Sequence, residues 1–324
     1  MPTLRYRFVR AVAKILGGKH LMTLKPDALK AELEKRGNEK IAFPAAFTKS
    51  CVVERIDGDA SLGIKCPCYV LRGKKQPAKE AADAGKKGAI LFIHGGGYVE
   101  FTSEFHWLFA SRLACRTGLP VYFPLYPLLQ YAPEQSLEAQ FDTVYSVYQA
   151  MVKEYGNNII VAGDSAGADI TLTLCHYIKD HKDEVMVSSP MPQKIVLISP
   201  ADCGEQDSEV VKKMREIEAR DVMCGVEYNF SFPEVFHIDT STSNYFFRSC
   251  HGDFKGFPEA LIFSGTDDVF YPQIPAFVER LEAAGVKHDF VSGKGMMHDW
   301  PIMPIAPECL KALGQIVEFI TKPV

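Results

Sequence analysis

The sequence predicts an α/β fold with an eight-stranded, mostly parallel sheet, helices on both faces and a helical cap. Eight short apolar runs have the length and composition of strands, and from the third onward they alternate with helical patterns. Alternation of this kind is typical of a parallel sheet that packs between two layers of helices. The strand-like runs begin near Cys51, Lys65, Ala89, Leu119, Asn158, Lys194, Glu259 and Lys287.

The chain divides into three predicted parts. Residues 1–50 have helical patterns and form an N-terminal cap segment. Residues 51–202 and 257–324 carry the strands of the sheet domain, in which the first two strands form a hairpin at the edge. Residues 203–256 lie between the sixth and seventh strands, and their charged helical and aromatic stretches predict a cap insertion.

The N-terminal segment contains an amphipathic pattern with two interpretations. Phe8, Val12, Ile15 and Leu16 have the i, i+4, i+7 and i+8 spacing of one helical face. A helix that lies on a membrane surface has such a stripe, and so does a helix that covers an active site. We favour the second interpretation, on the family resemblance described below.

Residues 163–167, Gly-Asp-Ser-Ala-Gly, match the G-x-S-x-G nucleophile elbow. They follow a β-branched apolar run and precede a helical pattern, so Ser165 is predicted to lie on a tight strand-to-helix turn. Such a turn exposes the hydroxyl, which becomes a strong nucleophile once a base removes its proton. A tight turn with a helix-capping serine is the structural alternative.

A glycine-rich loop, His-Gly-Gly-Gly at residues 94–97, follows the third strand. Three glycines bare the backbone, so that its N–H groups can point at a single substrate oxygen. Gly96, Gly97 and Ala166 are therefore the predicted donors of an oxyanion hole. A phosphate nest is the alternative, but the loop lacks both the G-x-G-x-x-G pattern and a Walker lysine.

An acid and a base follow Ser165 in the order that this motif uses. His298 lies in a loop after the last strand and is the predicted general base, because histidine transfers protons near neutrality. Asp267 and Asp268 both follow the seventh strand, at the sheet edge where ligands bind. Adjacent side chains of an extended backbone point in opposite directions, so only one aspartate can orient His298, and spacing leaves the choice open.

The motifs together resemble the hormone-sensitive-lipase-like family of α/β hydrolases, and microbial carboxylesterases in particular. The resemblance runs from about Lys87 to the C-terminus and rests on residues 94–98, 122–127, 163–167 and 265–270 and on His298 with Trp300-Pro301. It implies the α/β-hydrolase fold, with the sheet domain as catalytic domain. It also implies Asp268 as the triad acid, because the family's acid directly precedes a small apolar pair.

Three stretches depart from the family pattern. Ala168-Asp169 stands where relatives often have a glycine and a polar residue, and we interpret it as neutral for the chemistry. Residues 126–133 are a variant of the proline-rich segment after the fourth strand, which bears on the pocket rim. The region between Cys203 and Cys250 does not align with the family, so the resemblance does not define substrate specificity.

The leading expectation is a serine carboxylesterase that hydrolyses short- to medium-chain acyl esters through an acyl-enzyme. Ser165 would attack the carbonyl, His298 would accept and return the proton, and Asp268 would stabilise the imidazolium. The same residues would serve an amidase, a thioesterase or a deacetylase of acetylated natural products, and the sequence leaves these open. A non-catalytic ligand-binding protein is less favoured, because all three triad residue types are present.

Composition narrows the expected partners. With 324 residues, 47% of them hydrophobic, and a net charge of −4, the chain resembles ordinary globular proteins and gives no reason to expect nucleic acid. No apolar run of about 18 residues occurs, so no membrane span is expected. Nine cysteines without C-x-x-C spacing indicate reduced thiols, a cytoplasmic location and no bound metal. No cofactor is expected, the expected partner is a small-molecule ester, and a homodimer is left open.

Overall fold

One sheet of eight strands organises the protein. The strands are β1 Cys51–Asp57, β2 Pro67–Gly73, β3 Ala89–Ile93, β4 Val121–Pro124, β5 Ile159–Asp164, β6 Lys194–Ile198, β7 Glu259–Gly265 and β8 His288–Gly293. They lie in the order β1-β2-β4-β3-β5-β6-β7-β8. Strand β2 is antiparallel to β1 and β4, and all other neighbours are parallel. The predicted edge hairpin and mostly parallel sheet are therefore confirmed.

The computed structural model describes residues 2–15, 19–36, 43–58, 63–74, 88–184, 189–205 and 207–323. The helices are α1 Leu4–Ile15, α2 Pro26–Arg36, α3 Ala45–Thr48, α4 Glu104–Thr117, α5 Leu137–Tyr155, α6 Ala166–Asp180, α7 Ser208–Glu218, α8 Tyr228–Val235, α9 Ile274–Ala283 and α10 Pro307–Thr321. Within these ranges, none of the helices combines the length and apolar character needed to cross a bilayer.

Two hydrophobic cores lie on the two faces of the sheet. Alternate residues of β3 show this division, because successive side chains of a strand point to opposite faces. Leu91 and Ile93 belong to the core under α5, α6 and α9, whereas Ile90 and Phe92 belong to the core under α1, α4 and α10. All five residues of β3 are buried, which explains its unbroken apolar sequence.

The helical pattern of the sequence runs from Glu134 to Tyr155, but the helix itself begins three residues later. Helix α5 starts at Leu137, and the hydroxyl of Ser136 caps it by accepting the Ala139 N–H at 3.2 Å. Glu134 has φ +54° within a short 3₁₀ turn, a left-handed conformation that cannot continue an α-helix. The helical periodicity of the sequence begins before Ser136, but the left-handed backbone at Glu134 prevents the helix from starting there.

The predicted apolar stripe of α1 does not face the protein, and this expectation is wrong. Phe8 and Ile15 are 69% and 83% exposed, and Leu16 lies outside the described residues. The helix buries Tyr6 and Val9 instead. Hydrophobic spacing alone therefore selected the wrong face of the helix.

Polar anchors decide which face of α1 turns inward. The Tyr6 hydroxyl accepts a hydrogen bond from the Met297 N–H at 2.8 Å. The Arg10 guanidinium pairs with the Asp267 carboxylate at 2.7 Å. Both anchors lie on the loops that carry the predicted acid and base, so α1 packs behind those loops. A later residue of the N-terminal segment, Met22, lines the cavity of the candidate site.

Candidate active site

Ser165 lies between the end of β5 and the start of α6, at the edge where the parallel strands end. Its backbone has φ +49° and ψ −124°, a conformation that residues other than glycine rarely adopt. The Ser165 N–H donates to the Ile198 carbonyl at 2.8 Å, which fixes the turn to the end of β6. The tight turn that the motif predicts is therefore present, and Ser165 lines a cavity.

Two glycines allow this turn to form. A Cβ placed on Gly163 would lie 2.1 Å from the Gly167 carbonyl oxygen. A Cβ placed on Gly167 would lie 2.0 Å from the carbonyl oxygen of Ile93, at the end of β3. Both contacts are with backbone, which cannot rotate away as a side chain can. The elbow, its helix and the glycine loop can approach one another only because these positions lack side chains.

We expect Gly167→Ala to lower the free energy of unfolding by roughly 3 kcal/mol or more, the scale of severe overpacking. Helix propensity predicts the opposite sign, since alanine normally favours a helix over glycine by up to about 1 kcal/mol. Gly314→Ala in α10 is the matched control, because its Cβ would meet only an arginine tip at 4.0 Å. Urea titration of both variants checks this. Equal stabilities would contradict the backbone clash.

The glycine loop curves around Ser165. Gly96 and Gly97 have φ of +110° and +55°, and both line the cavity that contains the serine. Ala166 follows Ser165 directly and begins α6. The Tyr228 hydroxyl, from the cap insertion, donates to the Gly97 carbonyl at 2.6 Å. The structure thus places the three predicted oxyanion donors around Ser165.

His94 supports the loop from behind. Its ring stacks on Tyr126 with centroids 4.2 Å apart, and the Tyr126 hydroxyl donates to the His94 carbonyl at 2.6 Å. Its Nδ1 lies 2.7 Å from the Gly95 carbonyl oxygen. Burial, with a smaller effect of the nearby His106, lowers the pKa of His94 to about 4. A neutral, fixed imidazole can therefore hold the loop in place.

His106 is a residue that sequence reasoning missed. Its Nε2 lies 3.0 Å from an Asp164 carboxylate oxygen that also accepts the Gly95 N–H at 3.1 Å. Its Nδ1 accepts the Ser103 N–H at 2.9 Å. His106 therefore links the start of α4, the elbow and the glycine loop. The capping-box spacing of Ser103 and His106 was the available signal.

His298 and Asp268 contact each other in the buried part of the site. The Nδ1 of His298 lies 2.8 Å from an Asp268 carboxylate oxygen, and both side chains are almost fully buried. The other Asp268 oxygen accepts the Phe270 N–H at 2.9 Å. His298 lines the same cavity as Ser165. Its Nε2 has no partner of hydrogen-bond geometry in the described part of the chain.

Asp267 points elsewhere. Its carboxylate pairs with Arg10 of α1 at 2.7 Å and with Arg220 of the cap insertion at 3.3 Å. Spacing left the two aspartates open, and in the structure it is Asp268 that contacts His298. Asp267 instead joins the N-terminal segment and the insertion to the same turn.

The pKa of His298 departs from that of an isolated histidine. Burial lowers it, but the nearby carboxylates of Asp268 and Asp299 and the Cys224 thiol together raise it well above its ordinary value. A protonated imidazole cannot accept a serine proton. Hydrolysis that depends on His298 should therefore fall as pH drops through a value above the ordinary ~6.5, and be fully present on the alkaline side.

The cavity at Ser165 has two lobes. The larger lobe has a volume of about 150 Å³ and is lined beside His298 by Phe101, Phe105, Met223, Asp299, Ile302 and Met303. The smaller lobe has a volume of about 10 Å³ and is lined beside Ser165 by Tyr98, Asp169, Ala201, Cys203, Tyr228 and Phe270. Asp169, which the sequence analysis treated as neutral for the chemistry, thus lies directly in the site.

Asp221 is a second residue that sequence reasoning missed. One carboxylate oxygen accepts the Val269 N–H at 2.8 Å, and the other accepts the N–H groups of Met223 and Cys224 at 2.8 and 3.0 Å. Burial, together with the nearby Asp268, raises its pKa to about 6. Asp221 therefore fastens the cavity wall of the insertion to the turn that carries Asp268. No periodicity in the sequence indicates this contact.

One group of metal-ligating side chains occurs in the described ranges, at Asp202, Glu205 and His251. The Arg248 guanidinium lies among them, with its Nε 3.0 Å from Asp202 and an Nη 3.5 Å from Glu205. An arginine there already supplies the positive charge that the carboxylates require. The group is an ion-pair network that joins Asp202, after β6, to the cap insertion.

The fold and the site define an α/β hydrolase of the nucleophile-elbow type. Residues 90–302 match the α/β-hydrolase fold family. Because the match spans more than half of the chain, the protein belongs to this family.

Individual relatives refine this assignment. An esterase of Acinetobacter venetianus is 28% identical over 244 residues, which are 74% of this chain and 77% of the relative. An acetyl-hydrolase of Streptomyces hygroscopicus is 26% identical over 243 residues, 72% of this chain and 76% of the relative. A solved esterase from the bacterial hormone-sensitive-lipase family has a TM-score of 0.74 at 20% identity, covering 99% of this chain and 98% of its own. The expected class, a carboxylic-ester hydrolase with the α/β-hydrolase fold, is confirmed, and the similarity extends to a solved esterase of the hormone-sensitive-lipase family.

Proposed function

We propose that the protein is a serine carboxylesterase for esters of short acyl groups. Ser165 attacks the ester carbonyl while His298 accepts its proton. Asp268 holds the imidazole and stabilises its charged form, and water then releases the acid from the acyl-enzyme. The contact between His298 and Asp268 in the cavity of the elbow serine is the observation that carries this proposal.

The oxyanion is stabilised by backbone donors. Gly96, Gly97 and Ala166 supply N–H groups around Ser165, without side chains that could block the substrate at the two glycines. A donor of this kind typically contributes about 2.7–4 kcal/mol to the transition state. The hydrogen bond from Tyr228 to the Gly97 carbonyl supports the loop in this position.

The two lobes divide the substrate between them. In this mechanism the base that deprotonates Ser165 later protonates the leaving alcohol. His298 lines the larger lobe and is not among the described residues that line the smaller one. The leaving alcohol therefore occupies the larger lobe and the acyl group the smaller one. A volume of about 10 Å³ is close to the minimum for one water molecule, so the lobe favours the smallest acyl group, acetyl, and has no room for a long chain.

We expect kcat/KM for phenyl esters to be highest at acetate and to fall through butyrate, hexanoate, octanoate and palmitate. An open apolar channel would instead add up to ~0.8 kcal/mol for each buried methylene. Cys203→Ala, which enlarges the smaller lobe, should raise kcat/KM for the butyrate ester relative to that for the acetate ester. Cys175→Ala is the matched control, because Cys175 is buried in α6 away from the lobe. A maximum at octanoate or palmitate would overturn the assignment of the acyl lobe.

The small acyl lobe also favours a second candidate, the deacetylation of larger acetylated natural products. The larger lobe of the cavity would then hold part of the deacetylated molecule, as the acetyl-hydrolase among the relatives suggests. Acetanilide and an acetyl thioester, compared with phenyl acetate at equal concentration, separate amidase and thioesterase activity from ester hydrolysis.

A further inference from the structure

A carboxylate oxygen without a partner lies beside the catalytic base. Asp299 follows His298, its side chain is only 9% exposed, and its Oδ2 lies 3.3 Å from His298 Nε2. Its other oxygen, Oδ1, is buried and has no hydrogen-bond partner among the described residues. A buried, unpaired carboxylate oxygen costs free energy. Asp299 lines the larger lobe, so a donor bound in this lobe lies beside the carboxylate that lacks one.

The backbone fixes Asp299 in this position. The residue has φ +54°, in the left-handed region that aspartate tolerates better than most residues. Its N–H donates to the Ser199 hydroxyl at 3.0 Å. Ser199 follows β6 and has φ +47° itself. Two strained positions at the end of the sheet thus hold the carboxylate at the wall of the lobe.

The carboxyl groups that line the larger lobe favour a cationic ligand. Burial raises the pKa of Asp299 well above its ordinary value, so a nearby positive charge stabilises its ionised form. Of the described residues that line the lobe, none is lysine or arginine. Glu100 also lines the lobe, but its carboxylate pairs with Arg36 at 2.8 Å. Asp299 has only the imidazole of His298 as a counter-charge. Phe101 and Phe105 add aromatic rings, whose faces attract cations.

We propose that the larger lobe selects esters whose alcohol carries a cationic amine, which pairs with Asp299. The inference rests on the proposed ester hydrolysis and names the chemical class of its leaving group. An ammonium N–H can donate to the unpartnered Oδ1, while its charge offsets the carboxylate. An alcohol that carries a carboxylate or phosphate finds no lysine or arginine among the described residues of the lobe and is disfavoured.

The pairing also acts on the base. In the free enzyme the Asp299 carboxylate favours the protonated form of His298, which cannot accept the Ser165 proton. A cation beside Asp299 offsets that effect, so His298 releases its Nε2 proton to solvent and becomes a base. The titratable groups that face this pair are Asp164, Asp221, Asp268 and Cys224. Binding of the cationic alcohol therefore promotes the form of the enzyme that reacts.

Three acetates of matched shape test the proposal: 2-(dimethylamino)ethyl acetate, 3-methylbutyl acetate and 3-acetoxypropanoate. At pH 7 they carry a positive, a neutral and a negative alcohol group. We expect kcat/KM to be at least tenfold higher for the cation than for the neutral ester, about 1.4 kcal/mol, and lowest for the anion. In Asp299→Asn the cationic and neutral esters should come within about threefold of each other.

Asp289→Asn is the matched control, because Asp289 is exposed on β8 and does not line the lobe, and this variant should retain the cationic preference. The Asp299→Asn variant should also move the acid limb of its pH profile on the neutral ester to lower pH, since a carboxylate near His298 is lost. A purely structural role of Asp299 would leave that limb unmoved.

A comparison of product alcohols keeps the proposal testable if Asp299→Asn fails to fold. In the wild-type enzyme, 2-(dimethylamino)ethanol should inhibit neutral-ester hydrolysis at lower concentration than 3-methylbutan-1-ol. Equal kcat/KM for the cationic and neutral acetates, or a preference that survives in Asp299→Asn, overturns the inference. If the enzyme hydrolyses none of the three acetates, the proposed ester hydrolysis itself is contradicted.

Discussion

Ser165→Ala is expected to lower kcat on phenyl acetate by roughly 10⁴- to 10⁶-fold, the range seen when a hydrolase loses its nucleophile. The substitution removes one oxygen and leaves the strained turn in place, so the thermal midpoint should stay within a few degrees. Steady-state kinetics and a thermal melt measure the two effects. An organophosphate such as diethyl p-nitrophenyl phosphate should modify Ser165 and abolish activity in proportion to labelling.

Ser231→Ala serves as the control for this experiment. Ser231 is a buried serine of the cap insertion whose hydroxyl lacks a hydrogen-bond partner among the described residues, so its removal should leave both kcat and labelling unchanged. Substantial turnover by Ser165→Ala, or organophosphate attached to another serine, would show that the elbow serine is not the nucleophile.

The sheet was predictable from the sequence because its central strands are buried on both faces. Each central strand is then a short apolar run, and alternation with helices indicates a parallel arrangement. The inward face of α1 was not predictable in the same way. Tyr6 and Arg10 select that face through Met297 and Asp267, partners almost the whole length of the chain away, and local hydrophobic spacing carries no information about them.

The candidate site shows the same division. The elbow and the glycine loop are local motifs, so spacing locates Ser165 and its backbone donors. The choice between the two aspartates depends on tertiary geometry, and the sequence alone left it open. Asp221 contacts the Val269 N–H across 48 residues of chain. Asp299 was visible as the neighbour of His298, but only the fold shows that its carboxylate lines the cavity.

Asp268→Asn is expected to lower kcat by roughly 10⁴-fold, whereas Asp267→Asn should lower it less than about tenfold. Asparagine at position 268 keeps the size of the side chain but can no longer stabilise the imidazolium through the 2.8 Å contact with His298. Asp267 contacts Arg10 and Arg220, so its loss weakens the attachment of the cap segments. Steady-state kinetics of both variants on phenyl acetate, at pH values on either side of neutrality, make the comparison.

Stability supplies the complementary readout for this pair of variants. The ion pairs of Asp267 are partly exposed, and pairs of this kind contribute up to about 1 kcal/mol each, so Asp267→Asn should unfold at slightly lower urea concentration. The double variant Arg10→Met with Arg220→Met removes the same pairs from the other side and should match that loss without a large change in kcat. A larger loss of kcat in Asp267→Asn than in Asp268→Asn would reverse the assignment of the acid. It would mean that the turn after β7 rearranges when substrate binds, since the carboxylate that now contacts the arginines would then have to reach His298.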